Sequence, residues 1–192
     1  MTVRSRAWAS PIDLYYVHYP LPFIDVGVFA EGLVEAVKSG KARAVGVANF
    51  NANQMRRIAD HLARAGVPLA ANQVNYSLLR RAAETNGVLE ACRELDVALV
   101  AYFPLASGRL TQPSDSVGTK ALLMCLADIA LAHDASISQV ALNWLLARDS
   151  HVITIPGATK PHHARTNLDA LGWRLSETEF DLIDRASAKS GT

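Results

Sequence analysis

A polar residue with a chemical use stands at the end of almost every short apolar run in this sequence. His18 follows Leu14–Val17, Asn49 follows Ala44–Val47, and Gln73 and Asn75 close Ala70–Val74. Tyr102 follows Val97–Ala101, and Thr159 and Lys160 follow Val152–Ile155. A histidine exchanges protons near neutral pH. A neutral amide both donates and accepts hydrogen bonds. A tyrosine offers a flat face for stacking, and a lysine is a point charge for phosphate. Each also has an ordinary structural reading. His18 alone reads as a buried histidine satisfied by a backbone carbonyl, Asn49 and Gln73 as strand-end caps, and Tyr102 as a core tyrosine. The adjacent His162 and His163 have no Cys, Asp or Glu at ligand spacing, so the sequence predicts a surface pair and no metal site.

The elements that must position these residues alternate regularly. The apolar runs are near-continuous, as in strands of a parallel sheet buried on both faces. Between and after them lie helical patterns near 28–38, 52–65, 84–95, 121–147, 161–171 and 177–188. Ser136 with Gln139 and Ser176 with Glu179 match the capping box, Asn51 with Gln54 is a weaker version, and Gly40 and Gly66 stand where helices should stop. Strand–helix–strand repetition implies right-handed crossovers in a parallel sheet. No G-x-G-x-x-G follows the first strand, which disfavours a Rossmann dinucleotide fold. Polar residues at successive strand ends instead suit a (β/α)₈ barrel, which places its chemistry there. Such barrels typically need about 250 residues. The expected fold class is therefore α/β: an incomplete (β/α)₈ TIM barrel of about five parallel strands, with flanking helices and a C-terminal helix. It is read as a single domain over 1–192, with 1–11 an irregular or helical remnant in which Trp8 covers apolar surface.

Composition narrows the partners. The 192 residues are half hydrophobic, with a formal net charge of +1, so bulk charge makes no case for nucleic acid or an acidic membrane. The longest apolar stretch, Ala121–Ala132, is interrupted by Asp128 and too short to span a bilayer. Cys92 and Cys125 are the two cysteines and lack partner spacing, which fits a reducing compartment. Residues 1–10 lack the apolar stretch of a signal peptide. These features lead to an expected cytoplasmic location.

Taken together, the motifs resemble a known family. Asp13-Leu-Tyr-Tyr-Val-His18, Gly46-Val-Ala-Asn-Phe50, Asn72-Gln-Val-Asn-Tyr-Ser-Leu-Leu79 and Ala101-Tyr-Phe-Pro-Leu105 occur in order, followed by Gln139-Val-Ala-Leu-Asn-Trp-Leu145 and Ile155-Pro-Gly-Ala-Thr-Lys160. This set is similar to the aldo-keto reductases from their fourth barrel strand onward. The resemblance implies NADP(H)-dependent reduction of aldehyde and ketone carbonyls by an Asp–Tyr–Lys–His tetrad, in which His18 matches the substrate-orienting His. It further implies that Asn49 and Gln73 hold the nicotinamide carboxamide and Tyr102 stacks on the ring. Phe103, Leu105 and Ser107 would lie along the pyrophosphate. Gly157, Ala158, Thr159, Lys160, His163 and Asn167 would surround the adenosine 2′-phosphate end, with Arg165 either helping or facing solvent.

Departures from the family pattern carry their own expectations. Ala48 stands where the family commonly has Ser, which removes one hydrogen bond to the nicotinamide. The tetrad's Asp, Tyr and Lys belong to earlier strands, and neither Tyr15 nor Tyr16 can replace the catalytic Tyr from within the His18 strand. Between Leu110 and Leu122 a short Thr-Gln-Pro-Ser-Asp-Ser link stands where relatives have a longer excursion. A reductase that is weak or inactive in this truncated form is expected. The alternative is a noncatalytic NADP(H)-binding or interaction module, either a pseudoenzyme or a gene fragment. Apolar edge strands, Asp13–His18 and Val152–Ile155, predict self-association.

Overall fold

The computed structural model describes residues 10–112, 114 and 116–188. The remnant expected before the first strand therefore lies, for residues 1–9, outside the described residues. Five strands, β1 (Ile12–Val17), β2 (Ala42–Ala48), β3 (Leu69–Asn75), β4 (Ala98–Tyr102) and β5 (Val152–Thr154), form one parallel sheet in the order β1-β2-β3-β4-β5. Each strand lies beside the next in sequence. That is the order of a barrel wall, whereas a doubly wound sheet reverses at a switch point. Among the described residues β1 pairs only with β2, and β5 only with β4, so both are edges.

Helices α1 (Val26–Lys38), α2 (Ala52–Arg64), α3 (Ala82–Thr85), α4 (Val88–Leu95), α5 (Val117–Ala132) and α6 (Ile137–Arg148) fill the connections, and α7 (Pro161–Asp169) and α8 (Glu177–Ala188) follow the last strand. Helix α2 shows how local sequence sets them. Asn51 Oδ1 accepts from Gln54 N at 2.9 Å while Gln54 Oε1 accepts from Asn51 N at 3.0 Å, a complete capping box. Met55, Ile58 and Leu62 then form the buried stripe, and Gly66 takes φ +74° just past the end. Two expected helices prove to be broken. The 84–95 stretch is split by Asn86-Gly87, with Gly87 at φ +81°. The 121–147 stretch divides into α5 and α6, which meet at 98°. The Ser136–Gln139 box starts a new helix there, because a capping residue turns the backbone out of helical geometry. Among the described residues no single helix is long and apolar enough to cross a membrane.

Strand register separates the sheet's two faces. Tyr15 and Val17 pair with Val45 and Val47. Val45, Val47, Leu69, Leu99 and Val152 join Met55, Ile58, Leu126 and Trp144 in the core between sheet and helices. The opposite face carries Tyr16, Gly46, Ala71, Gln73, Asn75, Val100 and Tyr102 in register, and none of these belongs to that core. Gly46 is required there, because a Cβ would stand 2.6 Å from the Tyr16 ring.

Two polar clusters moor the C-terminal helices. Buried Asn143 donates to Ala170 O at 3.2 Å and Trp173 O at 2.8 Å, and accepts from Leu175 N at 3.2 Å. Glu84 accepts from Arg81 at 2.7 Å through both oxygens, from Arg148 at 2.7 Å and from the Tyr76 hydroxyl at 2.9 Å. Arg81 also reaches Asp184 of α8 at 2.7 Å, fastening the segment after β3 to the far end of the chain.

Candidate functional site at the C-terminal ends of the strands

Asn49 ties the strand ends together. It leaves β2 in the left-handed conformation at φ +63°, which asparagine tolerates better than most residues. Its backbone N–H donates to Gln73 O at 2.8 Å. Its side chain donates to His18 O at 3.1 Å and accepts from the Tyr102 hydroxyl at 3.0 Å. One residue thus links the ends of β1, β2, β3 and β4. Among the described residues one Oδ1 lone pair and one Nδ2 hydrogen remain for a ligand.

Gln73 is half-buried on the open face of β3, level with Ala48 of β2 and Val100 of β4. Its side-chain amide has no hydrogen-bond partner among the described residues, so it can meet an incoming group that both donates and accepts. Tyr102 is half-buried at the end of β4, its ring edge-on to Phe103 at 5.2 Å. Ala48 is buried beside them.

His18 follows the first strand, as its place after the apolar run implied. β1 ends at Val17, so His18 lies one residue beyond the strand, exposed, with its ring stacked on Tyr19 at 4.7 Å. A histidine buried and satisfied by a carbonyl is thereby excluded; the carbonyl of His18 itself is the bonded group. Nearby Tyr16 is a poor proton donor, since burial pushes its hydroxyl pKa up.

After β4 the backbone becomes strained. Phe103, Ala106 and Ser107 adopt φ of +50°, +51° and +57°, followed by Gly108 at +84°. Non-glycine residues in this region each cost about 1 kcal/mol or more, and such strain gathers at ligand-binding loops. The turns are closed by Ala106 N to Phe103 O and Gly108 N to Leu105 O. The N–H groups of Leu105 and Ser107 have no protein acceptor among the described residues. They are donors of the kind that holds an anion.

Past β5, Gly157, Ala158, Thr159, Lys160 and His163 are exposed and Asn167 is half-buried on α7. Lys160 is the N-cap residue of α7 and Pro161 its first residue, with no side-chain cap. Pro161 has no N–H, and His163 and Ala164 donate to Lys160 O at 3.0 and 3.3 Å. In this first turn the His162 N–H is therefore left without a protein acceptor among the described residues, beside a lysine and at the positive end of the helix. His162 and His163 pack ring edge to ring at 4.3 Å. No group of three or more potential metal ligands exists among the described residues. No hydrogen bond joins this stretch to the Asn49 cluster among the described residues, so the expected site residues form two separate groups.

A family model described as the aldo/keto reductase family matches residues 3–188. The chain belongs to that family. Among its relatives, the chloroplastic pyridoxal reductase of Arabidopsis thaliana is 34% identical over 85% of this chain and 48% of its own length. The aldo-keto reductase yakc [NADP(+)] of Schizosaccharomyces pombe is 32% identical over 95% of this chain and 59% of its own. Two crystal structures superpose well. The thermostable aldo-keto reductase Tm1743, crystallised with the inhibitor epalrestat, gives a TM-score of 0.79 at 35% identity, covering 92% of this chain and 60% of that one. An aldo/keto reductase from Klebsiella pneumoniae, in complex with NADP and acetate, gives 0.77 at 30% identity, covering 92% and 59%. The chain thus spans about half to three-fifths of the length of the aldo/keto reductases it matches, and its five-stranded sheet corresponds to part of their (β/α)₈ barrel.

The structure also shows residues the sequence did not single out. Asn51, Arg80 and Asn86 line a cavity of about 230 Å³ beside Asn49 and Tyr102. The Asn86-Gly87 turn dipeptide is the one sequence signal that could have pointed to it.

Proposed function

We propose that this chain is the cofactor-recognising part of an NADP(H)-dependent carbonyl reductase that converts aldehydes or ketones to alcohols. The observation that carries the reading is the convergence of Asn49, Gln73 and Tyr102 at one end of a parallel sheet in an aldo/keto reductase, with the Gln73 amide unpaired among the described residues. Bound NADPH would supply a hydride to the substrate carbonyl. The chain's own residues would hold it and fix which ring face is presented.

Gln73 and the remaining capacity of Asn49 would hold the carboxamide, while Tyr102 stacks on the ring. Leu105 and Ser107 would donate N–H groups to the pyrophosphate, on the loop that also carries Phe103. Gly157 to Lys160, with His163 and Asn167, would take the 2′-phosphate end, the Lys160 charge favouring NADP(H) over NAD(H). Buried Ala48 supplies no hydroxyl, so the nicotinamide end is held less firmly than where the family has Ser. Exposed His18 would orient the substrate carbonyl. Of the tetrad, His18 is the member these 192 residues supply. General acid–base help is worth about 10²–10⁴ in rate, so the polypeptide by itself is expected to bind NADPH and turn over slowly. The same reading includes a cytoplasmic location and association of copies through the β1 and β5 edges.

Titrating the chain with NADPH and NADH, followed by cofactor fluorescence, tests this. NADPH should bind more tightly than NADH, Lys160→Ala should remove most of the difference, and Gln73→Ala should weaken both cofactors equally. Equal binding of both cofactors by the unaltered chain would sink the proposal. Binding without any aldehyde-dependent oxidation would favour the noncatalytic NADP(H)-binding module. Light scattering that gives a well-folded monomer would remove the self-association.

A further inference from the structure

The cavity beside the Asn49 cluster has a donor-rich lining that the cofactor reading does not use. It encloses about 230 Å³, below the roughly 300–1,000 Å³ of ordinary ligand pockets. It is too small for a dinucleotide but large enough for a small organic molecule. Phe50, Val74 and Val88 supply an apolar wall, with Asn51, Arg80 and Asn86 completing much of the rest.

Hydrogen bonding fixes the orientation of both amides. Asn51 Oδ1 accepts from Gln54 N at 2.9 Å, and Asn86 Oδ1 accepts from Val88 N at 3.1 Å. A backbone N–H requires an oxygen opposite it, so each side chain is left with its NH₂ group. Neither NH₂ group has a protein acceptor among the described residues. Arg80 adds positive charge. Its neighbour Arg81 is held by Glu84 and Asp184, but the Arg80 guanidinium makes no ion pair among the described residues. The lining contains no Asp or Glu, and nearby Glu84 is already bound to Arg81, Arg148 and Tyr76.

We infer that this cavity is a second binding site, for a small organic carboxylate with an apolar body. The carboxylate would accept from Arg80 and from the Asn51 and Asn86 NH₂ groups, and the body would pack on Phe50, Val74 and Val88. Asn49 and Tyr102 line the cavity as well, so its occupant touches two residues assigned to the nicotinamide end. Binding does not require the nucleotide, and so stands or falls separately from the cofactor reading.

The test uses the full chain without nucleotide, at low salt, with benzoate as probe and benzamide as its neutral counterpart. Binding is followed by ¹H–¹⁵N chemical shifts, including the asparagine side-chain NH₂ signals. Benzoate should bind saturably and shift the Asn51 and Asn86 NH₂ signals, and benzamide should bind at least about tenfold more weakly, since hydrogen bonds to a charged group are the stronger ones. Arg80→Gln should weaken benzoate by about tenfold or more. Asn86→Asp keeps an oxygen for the Val88 N–H and replaces the free NH₂ group by a second acceptor. It should abolish benzoate binding while the rest of the spectrum is preserved. Equal binding of benzoate and benzamide, shifts confined to residues 157–165, or unchanged affinity in Arg80→Gln would each overturn the assignment.

Discussion

Replacing Glu84 by Ala would remove the central acceptor of the network that fastens the segment after β3 to α6 and α8. The Glu84 side chain is 8% exposed and takes contacts from Arg81, Arg148 and Tyr76. Removing one partner of a buried ion pair costs about 3–5 kcal/mol when the other charge is stranded. Here the stranding is partial. Arg81 keeps Asp184 Oδ1 at 2.7 Å and Asp184 O at 3.1 Å, and Arg148 keeps Asp184 at 3.8 Å. The expected loss is therefore about 2–3 kcal/mol, below the range for a fully stranded charge. With a urea slope of about 2 kcal/mol/M, the unfolding midpoint should fall by about 1–1.5 M at neutral pH. The pH dependence has a definite sign. Burial pushes the Glu84 carboxyl pKa up, but the Arg81 and Tyr76 hydrogen bonds and the charges of Arg81 and Arg148 outweigh it and hold the pKa below the ordinary value. A depressed folded pKa contributes stability above the unfolded pKa that is lost as pH falls through the folded one. Curves for the unaltered chain and Glu84→Gln should therefore separate at neutral pH and converge in acid, below the usual glutamate range. A midpoint shift under about 0.4 M, or a gap between the two that stays constant into acid, would refute the reasoning.

Gly46→Ala should destabilise the sheet by about 1–3 kcal/mol, because the new methyl would stand 2.6 Å from the Tyr16 ring; adding Tyr16→Ala should recover part of the loss in a thermal melt. Asn143→Ala should cost about 2–4 kcal/mol, since it strands the carbonyls of Ala170 and Trp173 and the Leu175 N–H. Hydrogen exchange should then quicken at α7 and in the stretch leading to α8 more than in β2 and β3. Tyr102→Phe removes the donor to Asn49 Oδ1 and leaves the flat ring, so NADPH affinity should change by less than about tenfold, whereas Tyr102→Leu, which removes the stacking face, should weaken it further in the same fluorescence titration.

The strands were legible because burial in a parallel sheet leaves continuous apolar runs, and the order of the strand-end residues followed from them. Boundaries were less legible. Tyr102 and Asn75, each expected just past its apolar run, prove to be the last residues of β4 and β3, because strand limits are set by which neighbour continues the ladder, which local composition does not encode. The two broken helices differ in kind. Ser136–Gln139 announced a new start inside the 121–147 stretch, whereas Asn86-Gly87 lay in a stretch whose apolar spacing runs through the break. The Glu84 network was not readable at all, since it joins residues about a hundred positions apart, as Arg81 and Asp184 do. The cavity donors Asn51 and Asn86 were hidden differently: Asn51 looks like a helix cap and is one, Asn86 looks like a turn residue and accepts from Val88 N, and in each only the oxygen is used locally.

Asn49 shows why the strand-end amides are neither purely structural nor purely ligand-binding. A residue that only capped a strand would need one hydrogen bond, yet Asn49 holds the end of β1, receives the Tyr102 hydroxyl from β4 and donates its backbone N–H to β3. These bonds, at about 0.5–1.5 kcal/mol each, offset the cost of a left-handed backbone and fix the amide plane before any ligand arrives. Fixing that plane lowers the ordering cost of binding. Gln73 is the complement: half-buried and without a side-chain partner among the described residues, it can turn its amide to suit what it meets. On the proposed cofactor reading, a rigid amide beside an adaptable one would give the nicotinamide end both orientation and tolerance. Because Asn49 and Tyr102 also line the second cavity, an occupant there would act on the rigid member of the pair. Its effect on a bound nucleotide should therefore appear in nicotinamide placement before it appears at the distant Lys160 end.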